Sequence, residues 1–213
     1  MKDQKINKPI FYSFRRCPYA MRARLALLEA NQKVEIREIL LKEKPVEFLQ
    51  ASPSSTVPCL LIEDKIIDES LDIMTWALSK NDPGNFLDMP HLGYDLINEN
   101  DGPFKIALDK TKYHSRYPDE NQKSNREKAS GFIYKLDNIF EGPFLFGEDP
   151  KLVDIAVLPF IRQFAFVDKI WFDQQPWQKV VAWLNRFLES KRFTDIQQKY
   201  VPWKSGTNSV FFP

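Results

Sequence analysis

Cys17 stands in the stretch SFRRCPYA, residues 13–20, directly after Arg15 and Arg16 and directly before Pro18. Proline is favoured at the first position of an α-helix, so the spacing predicts Cys17 at a helix N-cap. Unpaired backbone N–H groups and the positive end of the helix dipole favour a thiolate there over a thiol. The two arginines add positive charge nearby. Thiols in such settings have pKa values lowered from about 8.5 into roughly the 3.5–7.5 range, and the thiolate is the nucleophilic form. The bland alternative is a small buried hydrophobe. Position favours chemistry, because the edge where a strand gives way to a helix is where α/β sheets bind ligands. Cys59, the other of the two cysteines, follows Pro58 and opens the apolar run CLLI, which reads as packed strand. Position 20 is alanine, so the motif is CPYA and has no neighbouring thiol to resolve a disulfide. A small-molecule thiol from solution is therefore the expected co-substrate.

The elements that must hold Cys17 are legible in the periodicity. PIFYSF (Pro9–Phe14) reads as a strand, and from Pro18 onward Met21, Leu25 and Leu28 share one helical face, with Arg22, Arg24 and Glu29 off it. Val34–Leu40 alternates as a half-buried strand, Lys44–Gln50 reads as a short helix, and SPSS (Ser52–Ser55) as a turn. Cys59–Ile62 and Lys65–Asp68 form two short strands, and Ser70–Lys80 is helical. The order βαβαββα over residues 1–80 is a compact α/β domain. NDPGNFLDMP (81–90) is the expected linker. Beyond it no strand is expected: Arg126–Phe140, Val153–Val167 and Pro176–Ser190 carry helical stripes, so 91–213 reads as an all-α domain.

Composition limits the function classes. The 213 residues are 43% hydrophobic with a net charge of +1, enough for a real core and without the basic excess of a nucleic-acid binder. No run long and apolar enough to span a bilayer is present, and MKDQKINKPIF lacks the apolar centre of a signal peptide. Two cysteines suit a reducing compartment, so a cytoplasmic location is expected. His91 and His114 lie far from either cysteine in sequence, so no metal site is expected.

These residues resemble the glutathione transferase superfamily along almost the whole chain, and its cysteine-type, omega-like branch of bacterial style in particular. CPYAMRARL at 17–25 is similar to that branch's CP[FY]AxRxRL, and the likeness continues at Lys44-Pro45, Thr56-Val57-Pro58 and Asp68-Glu69-Ser70. The resemblance implies a thioredoxin-like N-terminal domain followed by the helical one. It implies that Cys17 forms a mixed disulfide with glutathione, the co-substrate, with no tightly bound cofactor. It further implies a cis bond before Pro58, which turns the backbone of Val57 toward the cysteinyl unit. Ser70 would take the γ-glutamyl carboxylate at a helix N-terminus, Glu69 the adjacent ammonium, and Lys44 the glycyl carboxylate. Each has an ordinary alternative: helix-start residues, a solvated lysine and a turn before a strand.

The expected activity is glutathione-dependent thiol transfer or reductive deglutathionylation of a small hydrophobic, electrophilic or disulfide substrate. Conventional conjugation of electrophiles, with Cys17 or Ser13 only stabilising the thiolate of glutathione, is the enzymatic alternative. A non-catalytic interaction module of the same fold is the other. Neither nucleic acid nor membrane is an expected partner, and a homodimer is implied by the resemblance. Phe104, Tyr113, Trp171, Phe211 and Phe212 are candidates for an apolar second-substrate pocket, although most aromatics at helical spacing are core. Phe104 and Tyr113 are retained as its candidates, Tyr113 foremost. Tyr12 is expected to pack in the sheet and His114 to lie on the surface. The family's buried helix usually opens with a Ser/Thr-x-x-Asp box. Here Lys151 occupies the cap, leaving Asp154 to bond the Lys151 backbone alone.

Overall fold

The computed structural model describes residues 8–213. They form two units, one of residues up to Pro83 together with Lys191–Pro213, the other Gly84–Ser190.

The first unit is built on β1 (Ile10–Ser13), α1 (Pro18–Glu29), β2 (Val34–Glu38), α2 (Val46–Ala51), β3 (Cys59–Ile62), β4 (Lys65–Ile67) and α3 (Ser70–Lys80). The expected order is present. The strands run β4-β3-β1-β2 across one sheet, with β1 and β2 parallel and β3 antiparallel to β1. Both α1 and α3 start where the sequence placed them. Burial within α1 differs from that reading: Arg22 and Arg24, placed off its apolar face, are 2% and 0% exposed. Nine of the twelve residues of α1 are buried, and the helix packs on α3 and on α10 (Lys191–Ile196). A helix enclosed on several sides has no polar face left, so its arginines must bond inward.

A fifth strand corrects the expectation that strands stop at the linker. β5 (Phe211–Phe212) adds to the outer edge of the sheet, with Phe212 opposite Val34 and Phe211 opposite Glu35 of β2. The final stretch, read from sequence as part of 91–213, thus packs with the first unit. Phe212 is 2% exposed. The ring of Phe211 faces the ammonium groups of Lys8 at 4.4 Å and Lys33 at 5.5 Å. Short edge strands flanked by lysines are one way a sheet edge is closed to further pairing.

The second unit is helical: α4 (His91–Glu99), α5 (Lys105–Lys112), α6 (Gln122–Ile139), α7 (Leu152–Ala165), α8 (Lys169–Asp173) and α9 (Gln178–Glu189). Between α4 and α5 the chain makes a wider π turn over Asn100–Phe104, which accommodates Pro103 without a break. Twelve of the fourteen residues of α7 are buried, as its all-round apolar sequence requires. Around it Phe164, Trp171, Phe172 and Trp177 meet in tilted and edge-to-face contacts with centroids 5.2–6.1 Å apart, and the Trp177 indole N–H donates to the Phe172 carbonyl. Trp171 joins these rings on one side but is only half-buried, and it also lines a cavity of about 470 Å³ with Arg126, Tyr134 and Gln175. Among the described residues no helix is long and apolar enough to cross a membrane.

Candidate active site

Cys17 occupies the N-cap of α1 in extended geometry (φ −79°, ψ 123°), with Pro18 opening the helix. The preceding loop is closed by the Cys17 N–H, which donates to the Phe14 carbonyl at 2.9 Å. The Cys17 side chain packs on a core cluster of Tyr12, Ile39, Phe48, Val57 and Cys59, yet remains partly exposed. Its thiol reaches the Val57 carbonyl, with sulfur and oxygen 3.6 Å apart. The Val57–Pro58 bond is cis.

The loop that carries Val57 is the anchor for the other expected residues. Lys44 donates from Nζ to the Ser55 carbonyl at 2.9 Å. The Asp68 carboxylate accepts from the Ser52 hydroxyl and the Ser54 N–H, both at 2.8 Å, which ties the start of α3 to the same loop. Burial works against charge on Asp68, but the bonds from Ser54 and Ser52 prevail and hold its pKa below the usual carboxylate value. Glu69 caps α3 through its backbone, its side chain exposed. Ser70, the first residue of α3, is 2% exposed.

Ser70 brings in a residue that periodicity missed. Its hydroxyl accepts from Arg22 Nε at 3.0 Å, so a buried guanidinium stands behind the N-terminus of α3. A hydroxyl that accepts from arginine still has its own proton to donate. Guanidinium and helix end add positive potential at one place, a good setting for an anion. The available signal was the arginine within CPYAMRARL, whose role no periodicity reveals.

The other hydroxyls are committed elsewhere. Ser13, 0% exposed, accepts from Arg24 Nε at 2.9 Å. Tyr12, 1% exposed, accepts from Arg37 at 2.9 Å, and burial raises its pKa. His114 lies on the surface, as expected, beside Gln122. Phe104 is a core residue, 2% exposed, its ring against Phe132 and Phe164. Its edge reaches the wall of a cavity of about 470 Å³ that Ile106, Ala107 and Phe132 also line. Tyr113 lies outside that lining, half-buried at the end of α5 between the cations of Lys112 and Arg116. The two aromatics are not brought to one wall.

Cys59 is 0% exposed in β3, and burial together with the Asp68 carboxylate pushes its thiol up to about 12. A folded Cys17→Ser variant is therefore expected to resist iodoacetamide at about pH 8, and to be labelled at Cys59 only after denaturation. Rapid labelling of the folded variant contradicts this packing.

Cys17 thus stands at a helix tip with the Val57 carbonyl against its sulfur, and the Arg22 guanidinium bonds Ser70 at the N-terminus of α3. Residues 11–86 match the family model described as glutathione S-transferase, N-terminal domain, and residues 126–186 match glutathione S-transferase, C-terminal domain. The chain belongs to the glutathione S-transferase superfamily. Its similarity to glutathione S-transferase L3 of Arabidopsis thaliana is 27% identity over 188 residues, covering 82% of this chain and 75% of that protein. A probable glutathione S-transferase DHAR2, chloroplastic, of Oryza sativa subsp. japonica is 27% identical over 67% of this chain, which spans half that relative's length. Among solved structures, glutathione transferase Omega 3C from Trametes versicolor matches with a TM-score of 0.76 at 18% identity, covering 90% of this chain and 84% of that one. A glutathione transferase family member from Pseudomonas fluorescens pf-5, with two glutathione bound, also gives a TM-score of 0.76, at 18% identity over 92% and 95% of the two chains. At such identities these structural likenesses establish the fold of this glutathione S-transferase family member.

Proposed function

We propose that this glutathione S-transferase family member is a cysteine-type, omega-like enzyme that transfers thiols, removing glutathione from mixed disulfides. The observation that carries the reading is Cys17 at the N-cap of α1 with its sulfur 3.6 Å from the Val57 carbonyl. Glutathione is the co-substrate. The backbone of Val57 beside Pro58 pairs with its cysteinyl unit. The α3 N-terminus with Ser70 takes the γ-glutamyl carboxylate, Glu69 the ammonium, and Lys44 the glycyl carboxylate.

The chemistry takes two steps. The Cys17 thiolate attacks the glutathione sulfur of a mixed disulfide R–S–SG, forming Cys17–S–SG and releasing R–S⁻, which takes a proton from solvent. A second glutathione thiolate attacks that disulfide, giving oxidised glutathione and restoring the Cys17 thiolate. The absence of cysteine at position 20 supports this course, since resolution must come from outside the chain. Ping-pong kinetics follow from the covalent intermediate. The complete burial of Ser13, 0% exposed beneath Arg24, counts against the alternative in which that hydroxyl activates glutathione for conjugation.

Mass spectrometry tests the reading. After exposure to a glutathionylated small thiol, the Cys17 peptide is expected to carry one glutathione, released by excess free glutathione. A turning-over enzyme that never carries glutathione on Cys17 refutes it.

A further inference from the structure

The loop that presents Cys17 is held from behind by one buried ion pair. Arg24 rises from α1 and is 0% exposed. Its Nε donates to the Ser13 hydroxyl at 2.9 Å, its Nη2 to the Glu38 carboxylate at 2.5 Å, and its Nη1 to the Ile196 carbonyl at 2.9 Å. Glu38, the last residue of β2, uses its other oxygen to accept the Arg15 N–H at 2.7 Å. Ser13 ends β1 and Arg15 lies between it and the thiol. The pair therefore grips the loop at its root and two residues before Cys17.

The pair is a poor source of net stability, because removing two charges from water offsets most of their attraction. Burial lowers the pKa of Arg24, and Glu38 opposes that effect. Geometry is what the pair supplies. Three acceptors in three directions need the planar fork of a guanidinium, which an ammonium cannot reproduce.

The third acceptor belongs to the C-terminal segment, and the chain beyond it closes over the pair. The Tyr200 ring lies 5.6 Å from the Arg24 guanidinium. The Trp203 N–H donates to the Glu38 carbonyl at 2.8 Å. The Trp203 ring stacks on Arg37 at 4.3 Å and meets Tyr12 edge-on at 6.2 Å. These residues lie more than 150 positions from Cys17 in sequence and yet complete the support of its loop.

We propose that Arg24 and Glu38 are positioning residues for Cys17 and that the segment from Ile196 to Trp203 completes the device. The proposal rests on Cys17 being the reacting thiol, as argued above. Sulfur–sulfur displacement needs alignment of the attacking atom, and a misplacement of about 1 Å can cost roughly a hundredfold in rate.

The test uses the full chain with Glu38→Gln, close in shape to glutamate, and Arg24→Lys, which keeps the charge. Two readouts are taken on folded protein: the rate of iodoacetamide labelling at Cys17 at neutral pH, and kcat against KM for glutathione. Both variants are expected to label and turn over about tenfold or more slowly, with KM changed by less than about threefold. Arg192→Ala, which removes an ion pair with Glu29 elsewhere on the C-terminal segment, is expected to leave both unchanged. A purely structural role lowers the melting temperature while folded molecules label at the wild-type rate. That result, or faster labelling, overturns the proposal. Should neither variant fold, Trp203→Ala takes their place with the same expected slowing, and wild-type labelling overturns it again. Labelling needs no turnover. An unchanged activity in Cys17→Ser therefore refutes the mechanism itself, whereas unchanged labelling in these variants refutes only the positioning role.

Discussion

Replacing Cys17 with serine is expected to lower glutathione-dependent thiol transfer by about three orders of magnitude or more while leaving the fold intact. The reason is the intermediate: a hydroxyl cannot form the mixed disulfide that divides the reaction into two steps. The fold is expected to survive because a serine hydroxyl can still donate to the Val57 carbonyl that the thiol now meets at 3.6 Å, and because Pro18 still opens α1. Circular dichroism and a melting temperature within a few degrees of wild type check that second half. Conjugation of a chloronitrobenzene provides the contrast. If it persists in the serine variant while thiol transfer vanishes, the two chemistries share a glutathione site and differ in their nucleophile. Wild-type thiol transfer in Cys17→Ser removes the sulfur from the mechanism altogether.

Periodicity and punctuation carried most of the first unit. Pro18 and the change of period after it located the helix and its capping thiol, and CLLI located a strand whose cysteine is packed away. These features are local, set by neighbours a few residues apart. What periodicity could not carry is long-range. Arg22 and Arg24 read as outward charges because α1 alone has an apolar stripe. They are buried because α3 and α10 cover that helix, and α10 begins at residue 191. β5 is two residues long and exists because the edge of β2 offers it partners; FFP by itself has no strand signal. Phe104 falls between the two readings: Phe132 and Phe164 draw its ring into the core, while its edge lines a cavity whose wall Tyr113 does not join. The candidate site was thus legible at its thiol from local residues, and the cis bond before Pro58 only through the family resemblance. The charged groups behind them, Arg22, Arg24 and Glu38, emerge only from the packing.

Asp154 gives the chain a stability that rises as the solution is acidified from neutrality, and the sign follows from its surroundings. It is 2% exposed at the start of α7, accepting from the Lys151 N–H at 2.8 Å, the Leu145 N–H at 3.1 Å and the Trp183 side chain. Lys151, at the cap, has no acceptor to return and instead donates to the Asn85 carbonyl, so half of the capping box is present, as expected from sequence. Burial raises the Asp154 pKa from 3.8 to about 6, more than the three donors lower it. The folded chain therefore takes up a proton at higher pH than the unfolded chain does. Stability from this group is lost as pH rises from about 4 to about 6, at up to about 1.4 kcal/mol per pH unit. Asp154→Asn removes the titration and turns an amide N–H₂ toward one of the backbone N–H groups. It is expected to cost about 1–3 kcal/mol at neutral pH, the penalty of a buried donor left without an acceptor. Because only the wild type gains on acidification, the gap between the two proteins is expected to widen from about pH 7 to about pH 5. Urea unfolding at both pH values measures it. A gap that stays constant or narrows means that the carboxyl is not raised, and that burial does not dominate its three hydrogen bonds.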